Sequence, residues 1–186
     1  MSGHRPAVGR TPPDGENRST PRPAACEPPP MSDTVSLPEG YEISTDPDRL
    51  DTGRVHGWLS TDAYWATGRP REKQERAIAG SLNFGVYDMV SGHQVAYARV
   101  VTDHATFAWL CDVYVDRSVR GRNIGTAMVG AVRDHLEPYG LRRILLATHD
   151  AHGVYEKLGF REPARPGQWM ALEFRADGLR DLSARS

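Results

Sequence analysis

Residues 107–136 read FAWLCDVYVDRSVRGRNIGTAMVGAVRDHL, and the periodicity changes once within them. Phe107 to Val115 is rich in aromatic and β-branched residues and reads as a strand. Ile124, Met128, Val132 and Leu136 then recur every fourth residue with Ala127 and Ala131 beside them, an apolar helical stripe that ends near Gly140. Ile144 to Ala147 is continuously apolar and too short for a helix, as in a strand covered on both faces. Strand, crossover helix and second strand make a right-handed βαβ unit, so these two strands pair in parallel.

The link between strand and helix, Arg117 to Thr126, carries the chemistry. A helix N-terminus exposes unpaired backbone N–H groups and the positive end of the helix dipole, and glycines let an anion approach them closely. Arg120 and Arg122 add charge-assisted donors suited to a pyrophosphate or ribose phosphate. No lysine follows a glycine as in a P-loop, and no G-x-G-x-x-G occurs, which sets kinase and dehydrogenase readings aside.

Upstream, Tyr41 to Ser44 is a short strand, followed by Asp46 and Asp48 as helix starters before a helix over Arg49 to Leu59. A second helix follows Pro70 in REKQERAIAGS. Leu82 to Tyr87, Val95 to Val101 and Phe107 to Val115 form an antiparallel meander, punctuated by Ser91-Gly92 and Asp103-His104. Downstream, a short helix from Ala151 to Leu158 ends at Gly159, and Gln168 to Phe174 is expected to close the sheet. Eight of the fourteen prolines lie in the first thirty residues, so residues 1–36 read as a disordered tail. Met31, after Pro28 to Pro30, opens more ordinary sequence and offers an alternative translation start. Residues 37–174 make the single domain that 186 residues allow, and residues 175–186 read as a fraying tail.

Lys and Arg number 23 against 24 Asp and Glu, which argues against a nucleic-acid partner. No apolar run reaches the length of a membrane span. The only cysteines, Cys26 and Cys111, suggest no disulfide framework, and a reducing cytoplasmic setting is expected.

The strand end VYV, the loop RGRNIG and the amphipathic helix resemble the coenzyme A signature of the GNAT superfamily, Arg/Gln-x-x-Gly-x-Gly/Ala. Arg120 matches its first position and Gly125 its last glycine. Asn123 replaces the middle glycine, and Asn is the non-glycine residue that best tolerates left-handed backbone geometry. A second segment, AHGVYEKLGF at residues 151–160, is similar to the family's A-x-x-L-Y-x-x-x-G-F. The resemblance implies a GNAT fold of the α/β (α+β) class, with a mixed, mostly antiparallel sheet of about six to seven strands, one parallel pair and about four flanking helices. It also implies acetyl-CoA as cosubstrate and N-acetyltransferase activity on an amine, with a homodimer as the expected assembly.

The same resemblance assigns cofactor contacts to Val113, Tyr114, Val115, Arg120, Gly121, Arg122, Asn123, Ile124, Gly125, Thr126, Thr148, His152 and Tyr155. Backbone N–H groups of Val113 and Val115 would hold the oxyanion of a tetrahedral intermediate. Tyr155 would be the general acid for the departing thiolate, since a phenol is neutral at physiological pH and can donate a proton. Thr148 stands where many relatives carry Asn.

Asp112 interrupts an apolar strand, a costly place for a carboxylate unless it is bonded or used, and is the expected general base. Tyr64, Trp65, Trp109 and His149 are expected on the acceptor side, where aromatic walls favour an apolar or cationic amine. His149, Asp150 and His152 form a second polar cluster at the end of the strand after the crossover helix, and Asp150 equally reads as a helix cap. The run from His149 to His152 lacks a third ligand at recognisable spacing, and no metal is expected. Cys111 reads as an inert buried thiol. The leading reading is acetyl transfer to a primary amine of a small molecule. A protein amine as acceptor, and a non-catalytic acyl-CoA sensor or interaction module, are the alternatives.

Overall fold

Strands β1 (Tyr41–Ser44), β2 (Leu82–Asp88), β3 (Gln94–Thr102), β4 (Phe107–Val115) and β5 (Arg143–Leu145) lie side by side in chain order. All neighbours run antiparallel except β4 and β5, which are parallel. The computed structural model describes residues 36–172. The expectations for Met31, for the N-terminal tail before Ser36 and for the C-terminal tail lie outside the described residues.

Helices α1 (Thr52–Thr61), α2 (Arg71–Ala79), α3 (Ile124–Leu136) and α4 (His152–Glu156) complete the fold. Helix α3 starts and ends where its apolar stripe does, and the chain turns away at Gly140 with φ of 59°. Its Ile124, Met128, Val132 and Leu136 are sealed against Val86, Ala96, Ala98, Val100, Ala108 and Leu110 of the sheet. Helix α1 covers the opposite face, packing Val55 and Leu59 with Ala63, Tyr97 and Tyr114. Alternation along β3 explains the division: Ala96, Ala98 and Val100 turn to α3, and Tyr97 turns to α1.

Three sequence expectations are corrected. Helix α1 begins at Thr52, because Asp46 caps only a 3₁₀ turn at Pro47–Arg49 and Asp51 caps the helix through Arg54 N–H at 2.9 Å. Strand β5 is shorter than the run Ile144 to Ala147 and is half-buried, since its register with β4 ends at Leu145 opposite Trp109. The described part of Gln168 to Phe174 contains the end of a 3₁₀ turn and no strand, so the sheet has five strands among the described residues.

Strand β4 also changes phase. Ala108 and Leu110 face α3, yet so do Val113 and Val115, while Tyr114 belongs to the α1 side. The register confirms one extra residue: Tyr97 pairs with Tyr114, but Arg99 pairs with Cys111. This is a β-bulge, and Asp112 within it takes the left-handed φ of 52°. Its side chain is 2% exposed and accepts from Arg69 Nη1 at 2.7 Å, Arg69 Nη2 at 3.1 Å and Arg99 Nε at 2.9 Å. Burial by itself raises the Asp112 pKa, and the hydrogen bonds and charges of the two guanidiniums outweigh it, so the pKa lies below the ordinary carboxylate value.

Three substitutions probe this packing. Leu136→Ala removes a fully buried side chain and should cost about 2–5 kcal/mol in urea denaturation. Val90→Ala, at a side chain 95% exposed, should stay within about 0.5 kcal/mol. Asp112→Asn strands two guanidiniums and should cost about 3–5 kcal/mol at neutral pH. A carboxylate with a depressed folded-state pKa stabilises above its unfolded value, about 3.9 for Asp, and that contribution is lost as pH falls through the folded value. Wild-type stability should therefore drop more steeply with acid than that of Asp112→Asn. Parallel acid limbs would disprove the ion-pair account.

Candidate active site

The bulge shapes a cleft. Strand β5 stays with β4 only from Phe107 to Trp109, so residues 110–115 have no β5 partner. The Asp116 N–H donates to Val95 O at 2.8 Å, towards β3. Since backbone donors alternate along a strand, those of Val115 and Val113 point the other way, into the gap. A cleft of about 1000 Å³ opens there between β4, the start of α3 and the turn before α4.

One wall is the link from Arg117 to Thr126. Gly121 and Asn123 adopt left-handed φ of 78° and 63°, turning the chain sharply into α3. Asn123 thus holds the geometry that glycine usually supplies, and its side chain makes no cap bond. The first N–H groups of α3 consequently have no side-chain acceptor. A Cβ on Gly125 would stand 3.3 Å from Val115 Cγ2, close enough that Val115 would have to give by a few tenths of an ångström. Arg120 Nε donates to Val115 O at 2.9 Å, and Arg120 Nη2 and Arg117 both pair with Asp62.

Tyr155 enters from α4, half-buried, with its ring 5.8 Å from that of Phe160 in an edge contact. Burial, with smaller contributions from Tyr64 and Asp150, pushes its phenol up to about 12. Thr148 lines the same wall, and its Oγ1 accepts from Ala151 N–H at 3.1 Å. Ala151 is the N-cap of α4 and no side chain caps that helix; Asp150 faces the cleft instead, which decides between its two readings.

The opposite wall carries Tyr64 and Trp65, whose rings meet edge-on at 4.9 Å, together with Trp109. Cys111 lies there too, and burial pushes its thiol up to about 11, so it is a poor nucleophile at neutral pH. Asp112 also lines the cleft, but with both carboxylate oxygens engaged and its pKa depressed it is a weak proton acceptor.

The cleft gathers Tyr155, Asp112, Val113, Tyr114, Val115, Arg120, Gly121, Asn123, Ile124, Gly125, Thr126, Thr148, Tyr64, Trp65 and Trp109. Three expected residues stand outside its lining. Arg122 donates to Tyr41 Oη at 3.1 Å, away towards β1; His152 is exposed at the start of α4; and His149 only neighbours Tyr64, with ring centres 6.3 Å apart. Sequence reasoning missed Asp62, Arg69, Arg99 and Arg117. Arg99 had a signal, being a charge in the middle of an apolar strand directly beside the one that holds Asp112. Asp62 and Arg69 sit in a polar connection and gave none.

Comparison with known proteins agrees with this geometry. The model of the acetyltransferase (GNAT) family matches residues 52–160. A candidate GNAT acetyltransferase of Xanthomonas campestris pv. campestris, known from its crystal structure, is 45% identical, with 75% of this chain and 96% of its own covered and a TM-score of 0.69. A candidate acetyltransferase of Gibberella zeae is 30% identical over 141 residues, 66% of this chain and 80% of its own. A Clostridium acetobutylicum acetyltransferase crystallised with acetyl-CoA shares the fold, at 16% identity, a TM-score of 0.54 and coverage of 72% of this chain and 94% of its own. With a βαβ unit split at a bulge, a left-handed turn into α3 and a family match across most of the domain, this chain belongs to the acetyltransferase (GNAT) family and is an N-acetyltransferase.

Proposed function

We propose that the protein transfers the acetyl group of acetyl-CoA to a primary amine of a small molecule, by direct attack on the thioester. One observation carries the reading. The unpaired edge of β4, the left-handed turn into α3 and Tyr155 face a single cleft.

Each part has a task. The first N–H groups of α3 and the guanidinium of Arg120 receive the diphosphate, which competes with Asp62 for that guanidinium. The edge of β4 accepts the pantetheine arm as a strand-like partner, and Thr148 still has its hydroxyl proton to donate to that arm. The N–H groups of Val113 and Val115 stabilise negative charge on the thioester oxygen as the amine attacks. Tyr155 gives its proton to the sulfur as the C–S bond breaks. Asp112 serves by fixing Arg69 and Arg99 at the acceptor wall, and the amine loses its proton to water in the open cleft. Cys111 takes no part, so no acyl-enzyme forms.

Tyr155→Phe should lower kcat by roughly 10²-fold or more while changing the calorimetric affinity for acetyl-CoA only slightly. Equal turnover by the variant would remove the assigned role. Because the Tyr155 pKa is raised to about 12, its proton is retained through alkaline assays. Turnover, followed as thiol release, should rise with pH as the amine deprotonates and hold level to pH of about 10. A decline starting near pH 8 would point to another acid. Gly125→Val, which pushes α3 off Val115, should weaken acetyl-CoA binding at least tenfold.

A further inference from the structure

The acceptor wall holds more positive charge and more hydrogen-bond donors than the described residues satisfy. Arg69 and Arg99 are 17% and 15% exposed in their side chains and share one carboxylate, that of Asp112. Asp62, which also lines the cleft, is committed to Arg117, Arg120 and Tyr114. With Asp150 on the wall of Tyr155, one half-buried positive charge is left over on this wall beside Trp109 and Cys111, a state that a counter-anion relieves.

The donors tell the same story. Two guanidiniums carry ten N–H groups, and the described residues engage five of them, through Gln74 Oε1, the Asp112 carboxylate three times and Ser81 Oγ. Arg69 Nε and Arg99 Nη2 make no hydrogen bond among the described residues. They are not sealed off, because among the described residues the one sealed side-chain atom without a partner is Gln74 Nε2. Both arginines line the cleft, and these two nitrogens keep contact with solvent. Gln74 is fully buried behind Arg69, and the hydrogen bond to its Oε1 at 2.7 Å fixes the guanidinium in place.

We infer that Arg69 and Arg99 form an anion subsite for the acceptor, so that the amine acetylated here carries a carboxylate or a phosphate monoester at its far end. The inference rests on the acyl-transfer reading above and adds the substrate class. A guanidinium pair held by a shared aspartate is rigid, and each fork still presents planar donors matched to an oxyanion. The same surplus charge repels polyamines, which narrows the aromatic pocket's preference away from dications.

Binding decides the inference and turnover decides the reaction, so the two can fail separately. Protein loaded with CoA is titrated calorimetrically with two matched pairs, β-alanine against β-alaninamide and O-phosphoethanolamine against ethanolamine. The anionic member of at least one pair should bind at least tenfold more tightly, and the pair that shows the margin identifies carboxylate or phosphate. Arg99→Gln should remove most of that margin and Arg99→Lys should restore part of it. Neutral members binding equally well or better to the wild type would overturn the subsite, whether or not the variants fold. A tight anionic ligand that is never acetylated from acetyl-CoA would leave the subsite standing and refute the proposed reaction.

Discussion

A single extra residue in β4, held by two ion pairs, is the constraint from which the site follows. A bulge increases local twist and terminates pairing, and here β5 leaves β4 at Trp109, just before it. The energetic difficulty is that the bulged residue is a non-glycine at φ of 52° with a buried carboxylate. Arg99, opposite Cys111 on β3, and Arg69, arriving from the connection between α1 and α2, supply the compensating charge. They offset the cost of that carboxylate at the place where β4 is bulged and beyond its pairing with β5, next to the donors of Val113 and Val115 that face the gap.

How far this is legible in the sequence depends on the range of each interaction. The βαβ unit is legible because α3 repeats its apolar residues every fourth position, and that local periodicity survives into the sealed stripe from Ile124 to Leu136. The anion loop is legible because Gly121, Asn123 and Gly125 are the residue types that a left-handed turn and a close helix approach require. Asp112 is legible as an anomaly, though its partner at position 69 lies 43 residues away and only the fold brings it near. The bulge itself is not legible, because FAWLCDVYV is apolar apart from Asp112 and has no polar alternation whose slip could mark it. His149 and His152 show the opposite case: polar residues at the right place in the chain turn outside the lining, because a short helix of five residues sets their direction by its own packing through Tyr155 and Leu158.

The connection from Asp62 to Arg69 ties the two halves of the cleft together. Its first residue receives Arg117 and Arg120 from the phosphate loop, and its last reaches Asp112 at the bulge. Between them Tyr64 and Trp65 stand largely in solvent, and only Ala63 and Ala66 are buried. Besides the charges at its two ends, the segment is fixed by Ala66 N–H to Ala63 O at 2.9 Å, Gly68 N–H to Ser60 O at 2.9 Å and Arg69 N–H to Ala66 O at 3.0 Å. Under the proposed reaction a diphosphate would compete for Arg120, while Arg117 and Tyr114 still hold Asp62 and the pair at Arg69 holds the other end. In that reaction, an acceptor held at its anionic end by Arg69 and Arg99 would present its amine to the carbonyl carbon, since a reactant fixed at one end loses less entropy in reaching the attacking geometry.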